Sequence, residues 1–377
     1  MGKGILFFLL TFLLFAKTLY AGETINIILA GDTHFGESYR IPEEFSEPDG
    51  GPGLYDGSVE NLSSILLSAD WTVVNLETPL TLPLTDSGRE KPILHWARPF
   101  KTAETLKRYG VRSVGLANNH TLDYGTRGLD ITLKTLRQSD IIYFGAGHTA
   151  AEASRPLEKS FHTGEQEINV AIFPGFGYRR SYDERYRFYA TDEEPGVALL
   201  DPEKAAVEFE KIRRNNPGTI IIVYPHWGSN YRWRSTSQQK TAHHLIDAGA
   251  DLIIGHGAHM FQQVERYREK WVVYGLGNFV FNSPGRYGRI ESAHPYSLIA
   301  MVILEPEDKG FTGEVRLYPI MSDNRRTGYK SRFVSGEEFL EVLALLEQNC
   351  KPWGLPSLIT TGADRFGPFL SLPLEKP

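Results

Sequence analysis

Short apolar runs of strand length recur along this chain, and many of them end in polar residues capable of chemistry. The runs fall at residues 25–30, 71–75, 111–117, 141–144, 168–173, 219–224, 251–254, 271–274 and 297–304, and residues 311–320 are expected to pair with one of them. Between them, residues 58–68, 102–109, 126–137, 202–214 and 236–248 carry apolar positions at helical spacing. Strands alternating with helices predict an α/β fold. Two polar loops, 37–57 and 78–98, and a charged, aromatic insertion at 178–194 interrupt the pattern. From about residue 351 the periodicity weakens, leaving a tail that either wraps the domain or hangs loose.

The strand ends hold the candidate site. Five runs open into loops carrying Asp32 and His34, Glu77, Asn119 and His120 with Asp123, His226, and His256 with His259. In open α/β sheets ligands bind at such carboxyl ends. Five of the 11 histidines lie there, which argues for one shared site rather than scattered ones. Carboxylate, amide oxygen and neutral imidazole together suit hard and borderline divalent metals. Such a set can serve two ions, which activate a water and stabilise a leaving oxygen, while a spare histidine acts as general acid. Taken singly, each motif also reads as a turn or a helix cap. His95, His148, His162 and His294 lack suitable neighbours in sequence, and His243 and His244 read as solvated or capping positions on a helix.

Composition narrows the class. At 377 residues the chain holds one large domain or two, and 41% hydrophobic with 23% charged residues is ordinary for a globular protein. A net charge of -6 without a basic run gives nucleic-acid binding no support. The single cysteine, Cys350, excludes a disulfide framework and a cysteine-based metal site. Lys3, the apolar run 5–16 and Ala21 form a secretory signal at residues 1–21, cleaved near Ala21, with an uncleaved N-terminal membrane anchor as the alternative. Gly275-Leu276-Gly277-Asn278 lacks the third glycine and helix of a dinucleotide fingerprint, and neither a Gly-x-Ser-x-Gly elbow nor a phosphate loop is present.

The ordered series Gly31-Asp32, Asn75-Leu76-Glu77-Thr78-Pro79, Ala117-Asn118-Asn119-His120-Thr121-Leu122-Asp123-Tyr124-Gly125, His226-Trp227-Gly228, Gly249-Ala250-Asp251-Leu252-Ile253-Ile254-Gly255-His256 and Tyr274-Gly275-Leu276-Gly277-Asn278-Phe279 resembles the CapA-like proteins of poly-γ-glutamate capsule biosynthesis. The resemblance implies a four-layer αββα sandwich of the metallo-dependent (calcineurin-like) phosphatase type over residues 22–322, with residues 323–377 as a C-terminal extension. It implies Asp32, His34, Glu77, Asn119, His226, His256 and His259 as ligands of divalent Mn, Zn or Fe, with Glu77 at the metal-bridging position. His120 would be the general acid, with Asp123 a further catalytic residue, and Arg40, Arg98 and Asn278 are candidate substrate contacts. The family is exported or membrane-attached, and membrane-bound capsule synthesis proteins are the implied partners. Two departures stand out: the bridging block reads Asn-Leu-Glu rather than Gly-Asp, and the last pair is His256-x-x-His259 rather than His-x-His, with Gly257 where many relatives carry histidine.

Two functions fit. One is an exported metal-dependent hydrolase of phosphoesters. The other is a non-catalytic protein of capsule assembly that binds an anionic polymer. For the latter, the arginines and aromatics of 178–187 and 231–234 form a candidate groove, or else an ordinary solvated, salt-bridged loop.

Overall fold

Alternation within single strands sorts the core into three apolar layers. In the Ile25–His34 strand, Ile27 and Leu29 point one way, Ile28 and Ala30 the other. In Ile220–His226, Ile220 and Ile222 join the cluster of Ile27 and Leu29, while Ile221 and Val223 face away. The shared cluster therefore lies between two sheets. Leu106, Leu129, Leu133 and Leu136 cover the outer face of the first sheet, and Phe209, Ala242, Leu245 and Ile246 that of the second. Helix, sheet, sheet, helix is the four-layer α/β arrangement expected. The computed structural model describes residues 23–39, 44, 54–84, 91–164, 166–307, 311–350 and 357–374; residues 1–21 and Arg40 lie outside them.

Among the described residues the first sheet runs Thr360–Asp364, Gly367–Leu374, Phe311–Met321, Tyr296–Pro306, Ile25–His34, Trp71–Leu76, Val111–Gly115 and Ile142–Phe144. Asn278–Phe281 adds in parallel to the end of Ile25–His34, and Arg332–Phe333 pairs with Phe311–Met321. The second sheet runs Val264–Tyr267, Lys270–Val273, Leu252–Ile254, Ile220–His226, Gln166–Phe176 and Leu157–Thr163. Parallel pairing of Ile25–His34, Trp71–Leu76 and Val111–Gly115 brings their carboxyl ends to one edge. An isolated bridge between His226 and His256 places the ends of the second sheet side by side.

Helix ends follow local chemistry. Asp201 caps Pro202–Asn215 by accepting from the Glu203 and Lys204 amides, and Ser235 with Gln238 forms a reciprocal capping box on Thr236–Asp247. The expected helix at 58–68 is instead three short turns, Asp56–Val59, Glu60–Leu62 and Ser63–Leu66. The hydroxyls of Ser58 and Ser63 donate back to Leu54 and Glu60 carbonyls, which competes with regular helix. After residue 322, the Gly336–Cys350 helix buries Phe339, Val342 and Leu346, and Gly367–Leu374 pairs with Phe311–Met321. No helix among the described residues is long and apolar enough to cross a membrane.

Candidate metal centre

Asp32 sits where register slips on both sides of its strand, between Ala30 and Asp32 against Trp71–Leu76 and between Asp32 and Thr33 against Asn278–Phe281. Such a slip re-aims a side chain, and Asp32 points across to the second sheet. Its Oδ1 lies 3.4 Å from His256 Nδ1 and 3.8 Å from His226 Nδ1, and its Oδ2 3.3 Å from His259 Nδ1. Gly257 N–H donates to Oδ2 at 3.2 Å, and Asn75 Nδ2 to Oδ1 at 2.9 Å. Asn75 is held by Asn118, whose amide donates to Asn75 Oδ1 and to the Leu76 carbonyl. Adjacent strands thus lock the aspartate through two asparagines.

Among the described residues two groups of three could each hold an ion: Asp32, His226 and His256, and Asp32, Glu77 and His259, with the ligand atoms of each within 4.8 Å of one another. Asp32 is common to both, so it would be the residue shared if both groups held ions, with Glu77 contributing to one of them. Glu77 belongs to one group, its Oε1 4.0 Å from both His226 Nε2 and His259 Nε2. Gly257 has φ +103, and a side chain there would meet His226 Nε2 at 2.9 Å; a further histidine at that position has no room. The turn returns at His259 with φ 60, a left-handed conformation uncommon outside glycine, which swings the second imidazole onto Asp32.

Electrostatics supports a cation here. Asp32 and Glu77 are both fully buried. Among the described residues neither oxygen of Glu77 has a hydrogen-bond partner, nor do Asn119 Oδ1 and His256 Nε2. Burial, then the charge of Asp32, pushes Glu77 well above the usual carboxylate range. Burial opposes ionisation of Asp32 as well, but hydrogen bonds from His256 and His259 hold it far below that range. Leaving a charge buried and unpaired costs about 3–5 kcal/mol, so two facing carboxylates with orphaned acceptors fit divalent ions. Asp32, Glu77, Asn119, His226, His256 and His259 would supply the ligands.

The other expected residues lie around or away from these ligands. His120 is adjacent to the centre, its Nε2 3.9 Å from Glu77 Oε1 and its Nδ1 2.6 Å from Asp123 Oδ2. Asp123 is thus an orienting carboxylate rather than a group facing substrate. His34 lies outside both ligand groups: its Nδ1 accepts from Gly36 N–H at 2.9 Å, its Nε2 is 3.2 Å from Ser38 Oγ, and burial lowers it to about 3. Asn278 is buried and committed on both amide atoms, Oδ1 to His259 Nδ1 at 2.9 Å and Nδ2 to Tyr287 at 3.1 Å, so it steers a ligand instead of reaching outward. Arg98 lies beside Glu37, to which its amide donates.

Two residues join the site without a sequence pattern of their own. The His95 ring stacks on His120 at 3.5 Å and 6°, its Nδ1 lies 3.1 Å from the Glu77 carbonyl, and its own amide donates to Asp123. Lys91, almost fully buried, donates to Asp123 Oδ1 at 2.5 Å and to the Asn119 carbonyl. Burial, then the Lys91 charge, pushes His120 well below the ordinary histidine value; an anionic leaving oxygen at Nε2 would push the other way.

Comparison with known proteins places this geometry. The chain is 28% identical over 226 residues to the capsule biosynthesis protein CapA of Bacillus anthracis, covering 59% of this chain and 53% of that one. It is 26% identical over 264 residues to the PGA biosynthesis protein CapA of Bacillus subtilis, covering 70% and 65%. It therefore spans between about half and two thirds of these relatives. A solved phosphatase structure from Mycoplasma pneumoniae is similar over 81% of this chain and 97% of its own, at 14% identity and a TM-score of 0.43. Residues 26–283, a stretch that takes in all the ligand-bearing strand ends, match the family of the bacterial capsule synthesis protein PGA_cap, and this chain belongs to that family.

Proposed function

We propose that this protein is an exported, metal-dependent hydrolase of phosphoesterase type that acts in the synthesis of a capsule or envelope polymer. The carrying observation is a pair of ligand groups sharing Asp32, set beside an imidazole that Asp123 orients. Bound divalent ions would polarise a phosphoryl oxygen and lower the pKa of a water. The chain's own residues do the remainder. Asp123 accepts from His120 Nδ1 and stabilises the imidazolium that forms when an anionic substrate sits at the centre; the His120 Nε2–H faces the centre and is given to the leaving oxygen. Asn75, Asn118 and Asn278 fix the ligands against reorganisation. Capsule relatives and the N-terminal apolar run support the polymer setting and export.

The test is metal content per chain, on protein purified without chelator or histidine tag. About two equivalents are expected, close to none in Asp32→Ala, and about one in Glu77→Gln, because only Asp32 serves both groups. His120→Asn should keep the metal and lose roughly 10²–10⁴-fold in hydrolysis of p-nitrophenyl phosphate. A chain that takes up no added metal sinks the hydrolase reading. A loaded chain inert toward phosphoesters leaves the polymer-binding alternative.

A further inference from the structure

The insertion at 178–194 reaches the surroundings of the centre through Tyr182, whose ring lies 5.6 Å from Lys91 Nζ, and its arginines are not all paired alike. Arg180 pairs with Glu184 at 2.8 Å and Arg187 with Glu194, all on exposed side chains. Exposed pairs of this sort contribute about 0–1 kcal/mol and leave no charge to spare. That part of the insertion is the solvated, salt-bridged loop.

Arg179 differs. It is half-buried, and among the described residues it forms no ion pair with a carboxylate. Its guanidinium lies over the rings of Phe176 and Tyr182, at 5.6 and 6.0 Å, and donates to the Gly228 carbonyl. Those contacts tie it to the ligands. Phe176 meets the His226 ring edge-on at 5.6 Å, and Gly177 N–H holds the His226 carbonyl at 2.9 Å. Tyr182, with its ring beside Lys91 Nζ, stands on the π-helical turn Ser181–Arg185. π-Turns occur disproportionately at functional sites. The charge is felt at the centre: Arg179 favours ionised Glu77 and disfavours positive charge on Lys91 and His226.

Held over two rings, with one carbonyl as its side-chain acceptor and no carboxylate paired to it among the described residues, the half-buried guanidinium keeps most of its donors available to an anion. Its planar fork suits two oxygens of one group. We propose that Arg179 recognises a negatively charged oxyanion of the substrate, phosphate or carboxylate, at the edge of the metal centre. The inference builds on the hydrolase reading above and names what distinguishes its substrates: an anionic group lies next to the bond that is broken. It also differs from the sequence-derived substrate contacts, of which Asn278 has both side-chain amide atoms committed to His259 and Tyr287.

The test is calorimetric titration of inorganic phosphate, and separately of glutarate, into the purified chain as isolated and after manganese loading. Arg179→Gln should raise Kd about tenfold or more while metal content stays at the parent value, and Arg179→Lys, which keeps charge without the fork, should fall between. Arg180→Gln and Arg187→Gln should stay within about twofold, because their charges are already paired. The anion that loses more affinity in Arg179→Gln identifies the group. Arg179→Lys carries the test if Arg179→Gln melts early. Parent-like affinity in both Arg179 variants, an equal loss in Arg180→Gln, or no saturable binding by the parent overturns the assignment. Metal content on the same samples judges the hydrolase reading separately: a metal-free parent sinks that reading, while Arg179 is still decided by the anion titration.

Discussion

Glu37 shows how burial at a single residue becomes a property of the whole protein. Its Oε1 accepts from the Tyr55 hydroxyl and the Arg98 amide, its Oε2 has no partner, and burial raises it to about 7. The folded state therefore holds this proton more tightly than the unfolded chain does. The stability that this supplies is complete below the ordinary value near 4.5 and is lost as pH rises through about 7. The loss is roughly 3 kcal/mol at 1.36 kcal/mol per pH unit. Urea midpoints should fall across that window in the parent chain relative to Glu37→Gln; parallel curves would remove Glu37 from the account. The same scale shows what a sequence conceals. His95 shares no sequence motif with its partners: Glu77 lies eighteen residues earlier in the same connection, and His120 and Asp123 arrive from another loop. Lys91 is hidden for the same reason. By contrast Asp32, His226 and His256 each end an apolar run, so their shared location was legible from the pattern alone.

At the scale of elements, strand approach decides whether the aspartate is presented at all. A Cβ on Gly31 would lie 1.8 Å from the Gly277 carbonyl, and the Asp32 amide donates to that same oxygen at 3.0 Å. Gly31→Ala must therefore push the Asn278–Phe281 strand away, at about 1–3 kcal/mol or more for overpacking, and displace Asp32 with it. A lower melting temperature together with lost metal is expected, while Gly288→Ala, with open space around it, should match the parent. Normal metal uptake by Gly31→Ala would refute this. Elements with two buried faces or a clear apolar stripe were readable in advance. Leu157–Thr163 was not, because it is an edge strand with alternating exposure, and Thr360–Asp364 was not, because it is mostly exposed and is placed by pairing with Gly367–Leu374.

At the scale of the molecule, the centre is assembled from both halves of the sandwich. Asp32 and Glu77 come from the first sheet, and His226, His256 and His259 from the second. A bound ion would thus act as a rivet through two plates that are otherwise joined at this edge by apolar packing and a few hydrogen bonds. Drawing the rivet frees the plates to breathe at the ligand-bearing strand ends, while the inter-sheet cluster stays packed with Phe339, Val342 and Leu346 of the Gly336–Cys350 helix buried in it. Amide exchange should then accelerate with chelator around residues 226–231 and 255–260 and stay slow in the Tyr296–Pro306 and Phe311–Met321 pair. Uniform acceleration, or none, would show that the plates do not depend on the rivet. Where it holds, ion supply sets how long the unloaded chain presents an open seam to proteases, so its lifetime would track the metal available around it.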